Sequence, residues 1–213
     1  MLSNLLSFAV LAFVGIRLVT GLRTSRSAQG RHTVALIVRG IRWRHVWPVP
    51  VLLAVVIGVA TQVMRIPGLS WGWWQLLGGS GNPVFGSSDA TAGTVWEWLI
   101  PLVFMCLLLP ALPLFAFAEE RIFREGAEGW SRPRRVFKVV QFGLVHALIG
   151  IPIGAALTLS IGGAWFMRVY LARFRATGSQ REATLESTRA HTAYNGVIVM
   201  LVLVGIALDS LLG

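Results

Sequence analysis

The sequence predicts an all-α fold, a polytopic bundle of about six transmembrane helices. Three observations predict it. Of 213 residues, 55% are apolar and 13% charged, with a mean hydropathy of +0.69. A soluble domain carries about a quarter charged residues, and disorder requires low hydrophobicity. Several apolar runs approach the roughly 20 residues that cross about 30 Å of hydrocarbon. Finally, a net charge of +10 is concentrated in alternate connections between those runs. A pI near 11.6 is the usual mark of nucleic-acid binding, but such proteins are not this apolar, and that class is excluded. Nine Trp and 23 Gly agree with membrane helices and their interfaces. The single cysteine, Cys106, lies within an apolar run, so one chain holds no disulfide framework.

The first predicted span covers 5–22, interrupted by Arg17. A cleaved signal peptide places positive charge before its apolar core. Here Arg17, Arg23 and Arg26 follow it, so an uncleaved span is expected. The second span is 46–64. The third, 98–118, contains Pro101, Pro110 and Pro113 and is expected to kink. The run 137–172 breaks at Gly150-Ile-Pro-Ile-Gly154, because Pro and paired Gly favour a turn. It gives a short fourth span, 137–150, and a fifth, 153–171. The sixth runs from about 189 to 212. Residues 1–95 then form an N-terminal two-span region and 96–213 a helical core.

Charge orients the bundle. Seventeen of the nineteen basic residues lie in three segments, 23–44, 121–138 and 168–189, which fall on alternate connections. Basic connections stay cytoplasmic, so both termini are expected outside. The excess of Arg over Lys, 18 to 1, suggests a GC-rich genome and hence a bacterial plasma membrane. Residues 32–47 mix apolar side chains with arginines, as either an interfacial helix on an anionic leaflet or a plain basic connector does. Trp71, Trp73, Trp74, Trp96 and Trp98 read as interface anchors rather than a ligand cage.

Ionisable groups in or beside a membrane span are functional candidates by default. Here they are Glu119, Glu120, His146, His191 and, near the far end, Asp209, with Asn195 as a neutral polar companion. Three helices carry them in one pattern. In Glu119-Glu120-Arg121-Ile122-Phe123-Arg124, a continuing helix sets Glu120 and Arg124 at i, i+4 in the favourable acid-before-base order. Glu119 is left without a partner, about 100° around the helix. Phe142 and His146 form a second i, i+4 pair, and His191 and Asn195 a third. Taken singly, each has a plain structural explanation: an acidic helix end, a hydrogen-bonded core histidine, a helix start near the interface. Depth is imperfectly matched. His146 lies eight residues past Lys138, about 12 Å along a helix axis, whereas His191 lies two past Arg189.

These segments, EERIFR, FGLVH and HTAYN, fit EExxxR, FxxxH and HxxxN in that order. The chain thereby resembles the CPBP (CAAX protease and bacteriocin-processing, or Abi) family of intramembrane proteases over about 96–212. The resemblance implies an endopeptidase acting on a membrane-associated peptide or protein. Glu119 and His146 would activate a water while His191 and Asn195 stabilise the oxyanion. Glu120 and Arg124 would be structural, and Phe142 would pack the site. The active site would lie between the third, fourth and sixth helices, toward the cytoplasm.

The residue types suit that chemistry. Amide hydrolysis needs a base to activate water, a proton for the leaving amine and donors for the tetrahedral oxyanion. Asn195 can only hydrogen-bond, which fits the last role. Glu119, His146 and His191 are an acceptable zinc set with an open position, and the same residues allow a metal-free glutamate mechanism. No HExxH helix is present, which disfavours a site-2-type metalloprotease. Gly78-Gly79-Ser80-Gly81 matches the GxSG of rhomboid-like serine proteases, but it lies in a Gly-rich connection on the side opposite the histidines. Two non-protease readings remain: a scaffold or bacteriocin self-immunity protein on the same fold, and a small proton-relay transporter. The absence of an internal repeat counts against the transporter.

Overall fold

The computed structural model describes residues 2–75 and 93–212. The GxSG stretch and the side chain of Asp209 lie outside the described residues. Among the described residues nine α-helices follow one another: α1 (Leu2–Arg26), α2 (Ala28–Val38), α3 (Trp43–Val46), α4 (Pro48–Val63), α5 (Trp96–Phe123), α6 (Arg132–Leu144), α7 (Ile153–Thr158), α8 (Ser160–Thr177) and α9 (Gln180–Leu212). Short 3-10 turns occupy Ala127–Gly129 and Val145–Ile149.

Four helical stretches among the described residues are long and apolar enough to cross a bilayer: Trp43–Val63, Trp96–Gly129, Ile153–Thr177 and Gln180–Leu208. The segments expected as the first and fourth spans, 5–22 and 137–150, are not among them. Arg132, Arg134, Arg135 and Lys138 lie within α6, which ends at Leu144 after 13 residues. The backbone then tightens into the 3-10 turn and reverses at Gly150, whose φ of 93° is in the left-handed region that suits a residue without Cβ. The expected break at Gly150-Ile-Pro-Ile-Gly154 is therefore a turn. α5 continues as one helix through all three of its prolines. The connection 32–47 is largely helical: α2 packs on α5 and α9, and α3 on α9.

The two ends of the bundle differ. At one end the basic connections meet. Arg135 donates from Nε to the Ala127 carbonyl at 2.8 Å, Gln180 bonds Glu128, and Arg44 reaches Glu186 at 2.9 Å. Glu186 also accepts from His45 Nε2 at 2.9 Å and pairs with Arg189 at 3.2 Å, which fastens α3 to α9. At the other end, the amides of Ile153 and Gly154 donate to the carbonyls of Trp71 and Leu69 at 2.8 and 2.7 Å. Of the predicted interface tryptophans, Trp71, Trp96 and Trp98 are exposed, whereas Trp74 is buried against Trp73 in an edge contact.

α6 and the α7–α8 segment approach closely because Gly143 has no side chain. A Cβ there would stand 2.4 Å from Ser160 Oγ and 2.6 Å from the Ala156 carbonyl oxygen. Gly143→Ala must displace backbone and is expected to destabilise by about 1–3 kcal/mol. Gly58, in α4, has nothing within 4 Å of such a Cβ, and Gly58→Ala should be neutral or stabilising. Thermal unfolding of both variants in lipid checks the contrast. Equal midpoints for the two would refute the close approach.

Candidate functional site

The site is assembled around a buried ion cluster. Glu120 and Arg124 have side chains that are both 0% exposed, and they pair at 2.7 Å across one turn of α5, as the i, i+4 spacing predicts. Arg124 lies over the Phe142 ring at 4.1 Å and the Phe166 ring at 5.4 Å. Aromatic faces attract a guanidinium most when water is excluded. The carboxylate of Glu120 has two further donors. Ser187 bonds Oε2, and His191 Nδ1 donates to Oε1 at 2.9 Å.

That last bond sets the state of His191. A carboxylate only accepts, so Nδ1 carries the proton and Nε2 is left for other work. His191, 1% exposed, is held in place by Phe166 stacked at 4.5 Å and by the edge of Phe142 at 5.4 Å. Its Nε2 is directed at Glu119 Oε2, 3.8 Å away. Glu119 is 33% exposed overall, yet Oε2 is buried and has no hydrogen-bond partner. A buried carboxylate oxygen without a donor is rare in a stable fold and marks an acceptor held ready.

His146 is fixed from behind in the same way. Its Nδ1 bonds the Phe142 carbonyl at 2.8 Å. A carbonyl cannot donate, so Nε2 of the neutral ring bears the lone pair. Phe142 is thus a common wall, with its ring 5.1 Å from His146 and 5.4 Å from His191.

A cavity of about 460 Å³ is bounded by Glu119, His146 and Asn195. α1 closes it with Phe13, Val14, Arg17 and Leu18, and apolar residues of α5, α9 and the 3-10 turn line the remainder. Three of the four residues predicted as catalytic therefore share one cavity. The fourth, His191, stands behind its wall and meets Glu119 rather than lining the space. Among the described residues, no three His, Cys, Asp or Glu side chains converge as metal ligands do. The roles given to Glu119, His146 and His191 rest on their own side-chain chemistry.

Sequence reasoning missed two participants. Ser187 looks like one more polar residue of a helix start, and nothing in spacing links it to Glu120. Arg17 registers only as an interruption of the first span, although a charge within such a run is a signal in itself.

No family model matches this chain, and no curated protein or solved structure matches it.

Proposed function

We propose that the protein is an intramembrane endopeptidase that hydrolyses a peptide bond in a membrane-associated peptide or protein, with Glu119 as general base. The observation that carries this reading is the convergence of Glu119, His146 and Asn195, from three separate segments, on one cavity. The unpaired Oε2 of Glu119 supports it.

The roles follow from which atoms are free. Water enters between Glu119 and His146. Glu119 takes one proton, and the lone pair on His146 Nε2 orients the attacking oxygen. As the carbonyl becomes tetrahedral, its oxygen develops charge facing the Asn195 amide, which donates to it. His191 can add a second donor only as an imidazolium. Its Nδ1–H is already committed to Glu120, whose carboxylate supplies the counter-charge. Collapse of the intermediate breaks the C–N bond, and the proton held by Glu119 passes to the leaving amine. Glu120 is then a positioning residue for His191 as well as the partner of Arg124.

In this reading the basic end of the bundle faces the cytoplasm, as the charge rule requires, both termini lie outside, and α6 with its turn forms a short crossing paired with α7–α8. The test is a peptide library presented to the full chain in liposomes, with products read by mass spectrometry. Products made by wild type and absent with Glu119→Gln support the reading, and no difference between the two overturns it. Asn195→Ala is expected to lower kcat about a hundredfold with little change in KM, as loss of one oxyanion donor does. A change confined to KM would reassign Asn195 to binding.

A further inference from the structure

Arg17 is a guanidinium in the wall of an apolar cavity. It borders the cavity with Glu119 and also a more open hollow beside Arg121 and Glu125. Two nearby acids are engaged elsewhere: Glu125 pairs with Arg121 at 3.1 Å and Glu120 with Arg124, while Glu119 shares the cavity with Arg17 without an ion pair to it. Among the described residues no carboxylate lies within ion-pair distance of Arg17. Its guanidinium lies over an aromatic face, Phe115, 6.0 Å from the ring centre. The surrounding surface is hydrocarbon, including Phe13, Leu18, Met105 and Leu108. Arg17 itself is exposed, and a cation in an apolar helix that faces a cavity without an ion pair is a functional candidate.

We propose that Arg17 anchors a carboxylate of the substrate peptide, and so selects apolar segments bearing an acidic group close to the scissile bond. The proposal rests on the endopeptidase reading for the word substrate, though not for the binding itself. Guanidinium recognises carboxylate through paired, charge-assisted hydrogen bonds. Arg17 and Glu119 line the same cavity, so the acidic group sits near the bond that Glu119 serves. Glu119 itself repels an anion, which leaves Arg17 as the cavity's anion-binding group. The volume, about 460 Å³, suits a small-molecule-sized ligand, hence a short peptide segment rather than a two-chain phospholipid.

The experiment measures binding apart from cleavage. Full-length protein carrying Glu119→Gln is placed in phosphatidylcholine nanodiscs and titrated, by fluorescence anisotropy, with three dansylated leucine-rich tetrapeptides. One ends in a free carboxylate, one in an amide, and one in an amide with an internal glutamate. The free acid, the internal glutamate or both should bind about tenfold or more tightly than the neutral amide, and which one does so identifies the source of the carboxylate. Arg17→Gln should erase the preference, and Arg17→Lys should restore part of it. Equal binding of all three probes by the parent protein overturns the proposal without any Arg17 variant. A preference that survives Arg17→Gln also overturns it. Repeating the titration in phosphatidylglycerol discs tests the lipid phosphate. Loss of the acid preference there, with the amide still bound, assigns Arg17 to a headgroup instead and overturns the peptide assignment. If the library assay finds no cleavage but the acid preference holds, the protease reading fails and the anion site stands.

Discussion

Glu119→Gln is expected to lower the cleavage rate about a thousandfold while leaving the thermal midpoint of the protein in lipid nearly unchanged. The two halves of that expectation have separate causes. Replacing a general base by its isosteric amide removes an effect of about 10²–10⁴-fold. Stability is spared because Oε2 of Glu119 has no hydrogen-bond partner and the side chain is partly exposed, so the change is expected within about 0.5 kcal/mol. The adjacent residue gives the opposite result. Glu120→Gln strips the counter-charge from a guanidinium that has no access to solvent, and it should unfold readily whatever its activity. Measuring rate and midpoint for both variants separates chemistry from architecture one residue apart. A Glu119→Gln protein that cleaves at the wild-type rate, or that melts like Glu120→Gln, removes Glu119 from the proposed role.

The largest stability effect is expected at Arg124. Removing one member of a buried pair leaves the other charge uncompensated and costs about 3–5 kcal/mol. Arg124→Met should therefore yield little folded protein in detergent and lower the midpoint strongly in lipid. Adding Glu120→Leu removes the orphaned carboxylate, and the double variant should recover part of the loss. Recovery is incomplete because Ser187 and His191 lose their acceptor and Phe142 and Phe166 lose the cation above their rings. A coupling energy on the order of 2 kcal/mol between the two positions is the expected signature. Arg124→Met within about 1 kcal/mol of wild type would show that the buried pair contributes little.

Much of this site is legible in the sequence, because helical periodicity states which residues share a face. The spacing of Glu120 and Arg124 predicts their ion pair, and that of Phe142 and His146 predicts their contact. The pairing found for His146 is with the Phe142 carbonyl rather than a side chain alone. Periodicity is silent on what crosses between helices. The bonds from Ser187 and His191 to Glu120 join residues 67 and 71 positions apart, and no local pattern announces them. The same limit explains His191. Its spacing from Asn195 suggests two side chains facing one cavity, whereas the buried carboxylate draws the histidine behind the wall. The apparent depth mismatch of the two histidines is met by Phe142, whose single ring touches both. In the fold, the apolar run 46–64 closely matches α4 and the Gly-Pro turn falls where expected. The run 137–150 differs from the four long apolar helices because α6 opens on basic turns and passes into 3-10 winding.

The two amide bonds from Ile153 and Gly154 to the carbonyls of Trp71 and Leu69 bear on how the chain is made. In a medium without water, each backbone donor needs an acceptor from the protein, and here the acceptors are synthesised about eighty residues before the donors. The early half of the chain thus supplies acceptors to the turn that joins α6 to α7. A chain begun at residue 96 would leave those two donors orphaned and, without α1, one side of the cavity open. A transplant of the motif-bearing helices alone would therefore not carry the cavity with it.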